Sequence, residues 1–454
     1  MSFFSDLKAE RLIAEIRGIG DPLHPEARKA FEKLAKIGPG AIPKILDALA
    51  VADKKEAASY VEILTQLVDN KTFPQLVQGL TDGSPRTIAA VSWALTASHN
   101  YSPTLLIDLL SREDVSKPAV LDIIAAQKQR FSVRDLLQHA YSQEANEKAA
   151  LFRIIGELAD TASIPELTSR IEGKDSIARI HIINILSRFN RPDVSASIQT
   201  QLKDPNKMIR QAALNALAKM DGPIAVGPVC QMLRDPDLEV ANRAIDVVVR
   251  AKDPDTMKYL VEVLKDENEY ARRAAVEVLN HLGTARDIKH LLQVIKDDDW
   301  WVRTRAADAL GKIGGPRAFA LLKDCLGDAE VYEVVMRSLA TIDRRRTIAT
   351  FLEMTEKADL FGRGHARLKE AIATLGSLGS NEAVPRLASI LMRGLWIPPS
   401  AGDSLRIAAA RALEKIGTDS ALGALMQGAR LWRWPVRAVC AEIVGQRRRD
   451  GVAA

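Results

Sequence analysis

The sequence repeats itself every 31 residues over its central part. Six apolar residues keep this step: Ile171, Leu202, Leu233, Leu264, Ile295 and Leu326. At a second position the same step links Leu217, Val248, Leu279 and Leu310. Several positions that share one period indicate stacked copies of a single structural unit. This period constrains the fold more than the length of 454 residues does, because a stack of repeats needs no closed core.

The repeat at residues 297–327 contains two short segments whose apolar residues recur at helical spacing. The first segment, helix A, ends at Gly314 and Gly315, which suit a left-handed helix cap, and Pro316 opens helix B. Each helix has about a dozen residues, so its order must come from packing. The unit is predicted to be an antiparallel helical hairpin, repeated about thirteen times in an all-α fold without strands.

The repeat template divides the chain into four segments. We expect an N-terminal capping helix at residues 1–24, followed by regular repeats at 25–336. Repeats with longer loops are expected at 337–446 and a basic tail at 447–454. The template places A helices near residues 25, 54, 85, 117, 146, 176, 207, 238, 269, 300, 330, 364 and 404, with a terminal helix from Pro435.

The repeats resemble a known family in three segments, DPNKMIRQAALNALAKM, DENEYARRAAVEVLNHLG and DDDWWVRTRAADALGKIGGPRAFALLKDCLGD. They are similar to the HEAT repeat, in particular its short bacterial type, the HEAT-like repeat of phycobilin lyases. This resemblance implies an α-α superhelix. It implies little about function, because such repeats serve scaffolds, adaptors, lyases and nucleic-acid-binding proteins alike.

Charged residues also follow the repeat. Asp204, Asp235, Asp266 and Asp297 precede A helices, where a carboxylate can accept the free N–H groups of the first turn. Arg210, Arg243, Arg272 and Arg303 lie near the start of helix A and are expected to form a ladder with these aspartates. The interpretation of both sets is structural.

The formal net charge is +5, and the basic excess lies in the C-terminal quarter, where residues 337–454 carry 19 Lys and Arg against 11 Asp and Glu. Cys230, Cys325 and Cys440 are far apart on apolar helical patterns, which indicates buried thiols in a reducing compartment. We therefore expect a cytoplasmic protein. No stretch is apolar enough to predict a membrane span.

The sequence contains no nucleotide-binding loop, nucleophile motif or paired C-x-x-C. The best set of metal ligands is Glu277, His281, Asp287 and His290, but the repeat aligns His281 with cations in the last turn of helix A and His290 with packing positions. We expect no enzyme activity, no metal and no cofactor.

Unusual composition clusters in the turns that connect helix B to the next helix A. In a stack of hairpins these turns lie on one edge, and five of the six Trp residues fall in or beside them. Trp and Arg are enriched at interaction hot spots. The predicted partner-binding residues are Trp300, Trp301, Arg303, Phe361, Arg363, Arg393, Trp396, Trp432, Arg433, Trp434 and Arg437.

The leading hypothesis is a non-catalytic scaffold or adaptor that binds a protein partner through its concave face and this C-terminal Trp/Arg edge. Nucleic-acid binding through the basic C-terminal repeats is an alternative, although the sequence shows no row of Lys and Arg on the B helices. A chromophore-handling role like that of phycobilin lyases is a further alternative and rests on the resemblance alone.

Overall fold

The computed structural model describes residues 2–81, 83–141, 144–222, 224–357, 365–393 and 399–452. They belong to two compact units, Met1–Ala225 and Val226–Ala454. No β-strand occurs in the part of the chain that the structure describes. The prediction of an all-α fold is confirmed.

The first unit is a series of helical hairpins. Its α-helices are α1 (Ser2–Ile19), α2 (Pro25–Ile37), α3 (Ile42–Leu49), α4 (Lys54–Leu67), α5 (Phe73–Thr81), α6 (Pro85–Ala97), α7 (Pro103–Leu109), α8 (Lys117–Ala126), α9 (Val133–Ala140), α10 (Ala145–Leu158), α11 (Ile164–Ser169), α12 (Ser176–Leu186), α13 (Pro192–Thr200) and α14 (Lys207–Lys219). Short 3-10 helices lie at Gly38–Ala41, Lys128–Arg130, Thr161–Ser163 and Gln201–Lys203.

The second unit continues the alternation. Its α-helices are α15 (Val226–Gln231), α16 (Leu238–Ala251), α17 (Thr256–Val263), α18 (Glu269–Leu282), α19 (Ile288–Val294), α20 (Trp300–Ile313), α21 (Gly315–Asp324), α22 (Tyr332–Ile342), α23 (Arg344–Lys357), α24 (His365–Leu378), α25 (Val384–Met392), α26 (Pro399–Ile416), α27 (Asp419–Gly428) and α28 (Trp434–Val452). Short 3-10 helices lie at Met232–Arg234, Ala285–Asp287, Cys325–Gly327 and Asn381–Ala383.

Even-numbered helices from α2 onward correspond to the predicted A helices, and odd-numbered helices from α3 onward are B helices. Most A helices begin within two residues of the predicted positions, and α26 begins earlier, at Pro399. Gly314 (φ 71°) and Gly315 (φ 87°) turn the chain from α20 into α21 with positive φ values that favour glycine. Six complete hairpins, α2 to α13, lie in the described part of the first unit, and six more, α16 to α27, lie in that of the second.

The residues of the 31-residue register form the core of each unit. Leu217 in the first unit and Leu279 and Leu310 in the second are completely buried. Leu202 and Leu233, in the 3-10 helices that follow α13 and α15, are each 1% exposed. The predicted apolar register is confirmed, because its members are the side chains that neighbouring helices bury against one another.

The repeating aspartates do not cap the A helices as expected. The capping residue lies two positions later: the Asn206 and Asp299 side chains accept the N–H groups of Met208 and Trp301. The expected cap Asp204 instead accepts the N–H of Asn206, at 2.7 Å. The register aspartate therefore shapes the turn before the helix, and a second polar residue satisfies the helix end.

The register aspartates also form ion pairs with an arginine of the preceding A helix. Arg179 contacts Asp204 at 2.5 Å, and Arg272 contacts Asp297 through two bonds of 2.8 and 3.0 Å. Arg303 contacts Asp328 at 2.8 Å. These pairs connect consecutive repeats and confirm part of the predicted ladder.

One member of the predicted ladder differs. Arg243 pairs with Asp246 on its own helix, because the position 31 residues after Arg210 is Ala241. The Arg210 guanidinium donates to the backbone oxygen of Asp204 at 2.9 Å. Arg234 contacts Asp266 at 2.6 Å and supplies a link where the register lacks an arginine.

The last helix, α28, extends into the predicted basic tail at 447–454, as far as Val452. The segment 446–450 consists of residues with no strong tendency to break a helix, and cations favour a helix C-terminus. Arg447 also donates to the backbone oxygen of Gly417 at 2.7 Å, which ties the helix to the preceding hairpin.

Candidate functional site

The second unit exposes a large apolar side chain at the start of three successive A helices. Leu238 on α16 is 52% exposed, Tyr270 on α18 is 48% exposed and Trp300 on α20 is 50% exposed. Because α16 packs on α18 and α18 packs on α20, the three side chains follow one edge, where B helices connect to A helices. We call Leu238, Tyr270 and Trp300 the apolar ridge.

The position of these residues in the helix explains their exposure. Each lies in the first turn, before the stripe of the A helix that packs against its neighbours, which starts at Val240 in α16 and Val302 in α20. Trp300 directly follows the capping residue Asp299, and Tyr270 lies two residues after the cap Asn268. The caps hold the first turns in place, so the ridge stands on ordered backbone.

Trp301 and Arg303, the next two predicted residues, are more engaged in the fold than Trp300. The Arg305 guanidinium lies 5.7 Å from the Trp301 ring centre and pairs with Glu277 of α18 at 2.6 Å. The Arg303 guanidinium contacts Asp328 and donates to the backbone oxygen of its own turn at Asp297. Trp301 is half-buried, and Arg303 is a link between repeats.

A second exposed aromatic pair lies at the junction of α27 and α28, with Trp434 as the first residue of α28. Trp432 is 80% exposed and Trp434 is 68% exposed. Between them, Arg433 holds its guanidinium 5.5 Å from the Trp432 ring centre and 2.9 Å from the Asp403 carboxylate. Both predicted tryptophans are therefore offered to solvent by a turn that an ion pair anchors to α26.

Asp403, which anchors this turn through Arg433, also contacts a buried arginine. Arg406 of α26 contacts Asp403 at 3.7 Å, and its Nε donates to the backbone oxygen of Leu391 at 2.8 Å. Burial lowers the pKa of Arg406. Asp403 thus holds two guanidinium groups, one buried and one beside Trp432, and Arg433 is fixed in position more than a surface arginine normally is.

The predicted edge residues form two groups rather than one cluster. Trp300 and Trp301 lie on α20, and Trp432 and Trp434 flank the start of α28, with α22, α24 and α26 between them in the chain. Arg393 and Arg437 are exposed at the end of α25 and in the first turn of α28. Phe361, Arg363 and Trp396 lie outside the described residues.

Two family models match the chain. HEAT repeats match residues 133–218, 164–235, 226–299 and 289–340, and the PBS lyase HEAT-like repeat matches 405–430. The chain belongs to the HEAT-repeat proteins. No curated protein matches the sequence significantly.

Solved structures are similar to this HEAT-repeat chain at low sequence identity. The YibA protein of Escherichia coli is 19% identical, with 60% of this chain and 98% of that chain covered and a TM-score of 0.31. A crystal structure of importin beta is 12% identical, with 91% and 71% covered and a TM-score of 0.45. Human deoxyhypusine hydroxylase in complex with glycerol is 19% identical, with 71% and 97% covered and a TM-score of 0.23.

Sequence reasoning missed several exposed residues of the HEAT hairpins. It did not single out Leu238 or Tyr270, although the register places Leu238 and Trp300 two repeats apart and Tyr270 beside the position between them. In the first unit Ile177 (46% exposed) and Met208 (51%) also lie in first turns of A helices. The repeat register itself could have found this row.

The residues weighed as metal ligands have other partners in the HEAT fold. The Glu277 carboxylate binds Arg305 and lies 3.1 Å from His281 Nε2. Asp287 accepts the N–H and the hydroxyl of Thr284. Within the described residues, no three His, Cys, Asp or Glu side chains come together as a metal site.

His290, the remaining candidate, lies in a shallow cavity on the B helices α17 and α19. The cavity measures about 80 Å³, and Val261, Leu264, Lys265 and Gln293 contribute to its walls. Burial lowers the pKa of His290, and the Lys289 charge adds to this shift.

None of the described helices combines the length and the apolar character that crossing a bilayer requires.

Proposed function

We propose that this HEAT-repeat chain is a non-catalytic scaffold or adaptor that binds a protein partner through its C-terminal Trp/Arg edge and its concave B-helix face. The observation that carries the proposal is the exposure of Trp432 and Trp434 in an anchored turn. Large exposed aromatic side chains on ordered backbone lose little conformational entropy when a partner covers them.

The apolar ridge extends the same kind of surface along the edge. Single exposed apolar residues are common on protein surfaces, but a contiguous row of them is typical of an interaction site. Leu238, Tyr270 and Trp300 repeat at the start of adjacent helices, so they offer a partner several contacts at helix spacing. Repeat arrays commonly bind partners over such extended surfaces.

Charged groups around the ridge favour a directional contact. The Arg273 guanidinium lies 5.1 Å from the Tyr270 ring centre and 2.5 Å from the Asp299 carboxylate. It therefore holds the ring and the cap of the neighbouring helix in one arrangement. A partner would meet an ordered pattern of aromatic and charged groups, which supports specific recognition.

The cytoplasmic location stays a proposal. Its support is that the three cysteines are free thiols, two of them buried, with no disulfide among them. Burial raises the pKa of Cys230 and of Cys440 to about 11, so both thiols are protonated near neutral pH and react slowly.

The test uses the full chain as bait in an extract of its own cells, followed by calorimetry with the purified partner. Trp432→Ala should weaken binding by about 2 kcal/mol or more, as at a hot spot, with an unchanged melting temperature because the ring is largely exposed. Trp93→Ala is the matched control, since Trp93 is 67% exposed on α6 of the first unit. A variant that binds as tightly as the unmodified chain would remove this edge from the proposal.

A further inference from the structure

The opposite edge of the second unit, where A helices connect to B helices, carries a row of cations. Arg286 and Arg317 are 31 residues apart at the starts of the B helices of successive hairpins, and Lys289 lies in the first turn of α19. The first three residues of α23 are all arginines. All six side chains are exposed. We call Arg286, Lys289, Arg317, Arg344, Arg345 and Arg346 the basic row.

Contacts between the B helices join these cations into one surface. The Arg346 guanidinium lies 4.4 Å from the ring centre of Phe319 on α21. Lys323 of α21 contacts Glu353 of α23 at 3.8 Å, and α19 packs against α21. Sequence reasoning found no such row, because α23 starts 29 residues after α21 and so leaves the 31-residue step.

The basic row is not neutralised within the described part of the chain, where none of its six members forms an ion pair. Two nearby acids are used locally: Asp287 binds Thr284, and Asp343 accepts the backbone N–H of Arg346. The Arg344 guanidinium donates to the backbone oxygen of Leu378, which leaves its charge uncompensated. The row keeps a net positive charge.

The position of the charges is unfavourable for the helices themselves. The N-terminus of a helix carries partial positive charge, so cations there are repelled and acids are preferred. Neither α21 nor α23 has an acid in its first turn, and the first turn of α23 contains three arginines. An anion bound here would be attracted both by the cations and by the partial positive charge of the helix N-termini, and it would offset their mutual repulsion.

The composition of the row indicates which anion. Residues 284–289, 315–320 and 343–349 expose no large apolar side chain, since Ile288, Phe319 and Ile348 are all buried. A protein partner would be expected to bury apolar anchors as well as charges. Cations spread over three hairpins, about 20 Å at the usual helix spacing, instead match a row of phosphates.

We propose that the basic row binds the phosphate backbone of duplex nucleic acid without reading its sequence. Arginine suits this contact because its planar guanidinium can donate two hydrogen bonds to one phosphate. The row lies on a different edge from Trp300 and Trp432, so the surface is separate from the proposed protein-binding edge. The protein-binding proposal and the nucleic-acid-binding proposal can therefore be tested independently of each other.

The test measures binding of the full chain to a random-sequence duplex of about 20 base pairs by fluorescence anisotropy, between about 50 and 200 mM salt. The variant Arg286→Ala/Arg317→Ala/Arg345→Ala removes three cations whose side chains form no hydrogen bond or ion pair in the described part of the chain. Its affinity should fall about tenfold or more, and the slope of log K against log salt should fall by roughly one per cation removed.

The matched control is Arg28→Ala/Lys29→Ala/Lys33→Ala, which removes the same charge from exposed positions on α2. The control should bind the duplex within about twofold of the unmodified chain. Absence of duplex binding, or equal losses in both variants, would overturn the proposal. Preferential binding to phosphatidylserine vesicles or to polyglutamate at equal charge would also overturn it.

A single substitution keeps the proposal testable if the triple variant does not fold. Arg317→Gln should reduce the salt slope by roughly one with unchanged helicity by circular dichroism. An unchanged slope in this folded variant would exclude Arg317 from the contact and contradict the proposed row.

Discussion

The two units share one hairpin, but individual B helices differ in the charge of their first turn: α3, α5 and α7 of the first unit have no acid there, and α27 of the second unit has Asp419. In the first unit, α9, α11 and α13 carry Asp135, Glu166 and Asp193 in their first turns, as the helix dipole favours. In the second unit, the first turns of α21 and α23 carry cations and no acid. The core of a repeat is constrained by packing, whereas exposed helix ends can change charge at small cost. We therefore propose that the cations of α21 and α23 have a role beyond folding.

The largest expected effect is a loss of stability on truncating a core leucine, and it tests whether the cores of the two units contribute equally to stability. Leu217→Ala in the first unit and Leu279→Ala in the second should each cost roughly 2 to 5 kcal/mol, because both side chains are completely buried and truncation leaves a cavity. Hydrogen exchange should show loss of protection mainly in the repeats next to each substitution. Uniform loss over both units would contradict the nearest-neighbour description.

A smaller effect is expected from the links between repeats. Arg179→Ala and Arg272→Ala should each lower the free energy of unfolding by about 2 kcal/mol, because each leaves a largely buried carboxylate without its partner. Arg112→Ala removes an exposed pair with Asp114 and should have no measurable effect. If all three variants unfold at the same denaturant concentration as the unmodified chain, the links do not stabilise the array.

Replacing one arginine at the start of α23 with an acid tests whether the charge of the first turn affects the stability of the second unit. Arg345→Glu should stabilise the second unit by about 0.3 to 1 kcal/mol, because it gives the helix the acidic first turn found in the first unit. The same change should weaken duplex binding. Thermal unfolding at low salt measures the first effect, and a lower melting temperature would show that Arg345 has a stabilising contact of its own.

The smallest expected effect is a dependence on pH in the first unit. His181 stacks on Phe152 with ring centres 5.0 Å apart, and burial lowers its pKa below the ordinary value of 6.5. The unfolded chain therefore takes up a proton at a higher pH than the folded chain does. The contribution of neutral His181 is present above pH 6.5 and is lost as the pH falls below that value.

The measurement compares unfolding at pH 7.5 and 5.5 for the unmodified chain and for His181→Gln, which does not titrate in this range. His290 of the second unit also has a lowered pKa, so part of the pH dependence should survive in the variant. An identical pH dependence in both proteins would assign the whole effect elsewhere.

The period predicted the hairpins and the buried positions such as Leu310, because a repeating core requires a repeating sequence. It did not predict which residue caps each helix, since Asp297 and Asp299 both precede α20 and only the backbone decides which side chain reaches the free N–H groups. Nor did it predict the exposure of Tyr270, because aromatic residues are as common in cores as at interfaces. The positions that the period could not predict are those where the turn geometry decides.

The sequence predicted that the tryptophans beside the B-to-A turns lie at an exposed edge, and this holds for some of them but not for all. Trp432 and Trp434 are exposed at an edge, as expected, yet Trp301 from the same prediction packs beside Arg305. Three residues of one helix start can thus differ in role: Trp300 faces solvent, Trp301 is half-buried and Arg303 pairs with Asp328. A difference of one residue rotates a side chain by about 100° around the helix, which sequence spacing alone resolves poorly.

The links between repeats also bear on how an array of this kind can change its length. Each repeat with the full pattern offers an aspartate to the repeat before it and an arginine to the repeat after it, as Arg272, Asp297 and Arg303 do in sequence. Any two such repeats are compatible neighbours, so a 31-residue block could be duplicated or lost in the gene without redesign of the flanking surfaces. Ala241 shows that one missing arginine is tolerated when Arg234 supplies the contact to Asp266 instead. The number of such repeats can therefore vary while the Arg–Asp pair between neighbouring repeats is kept.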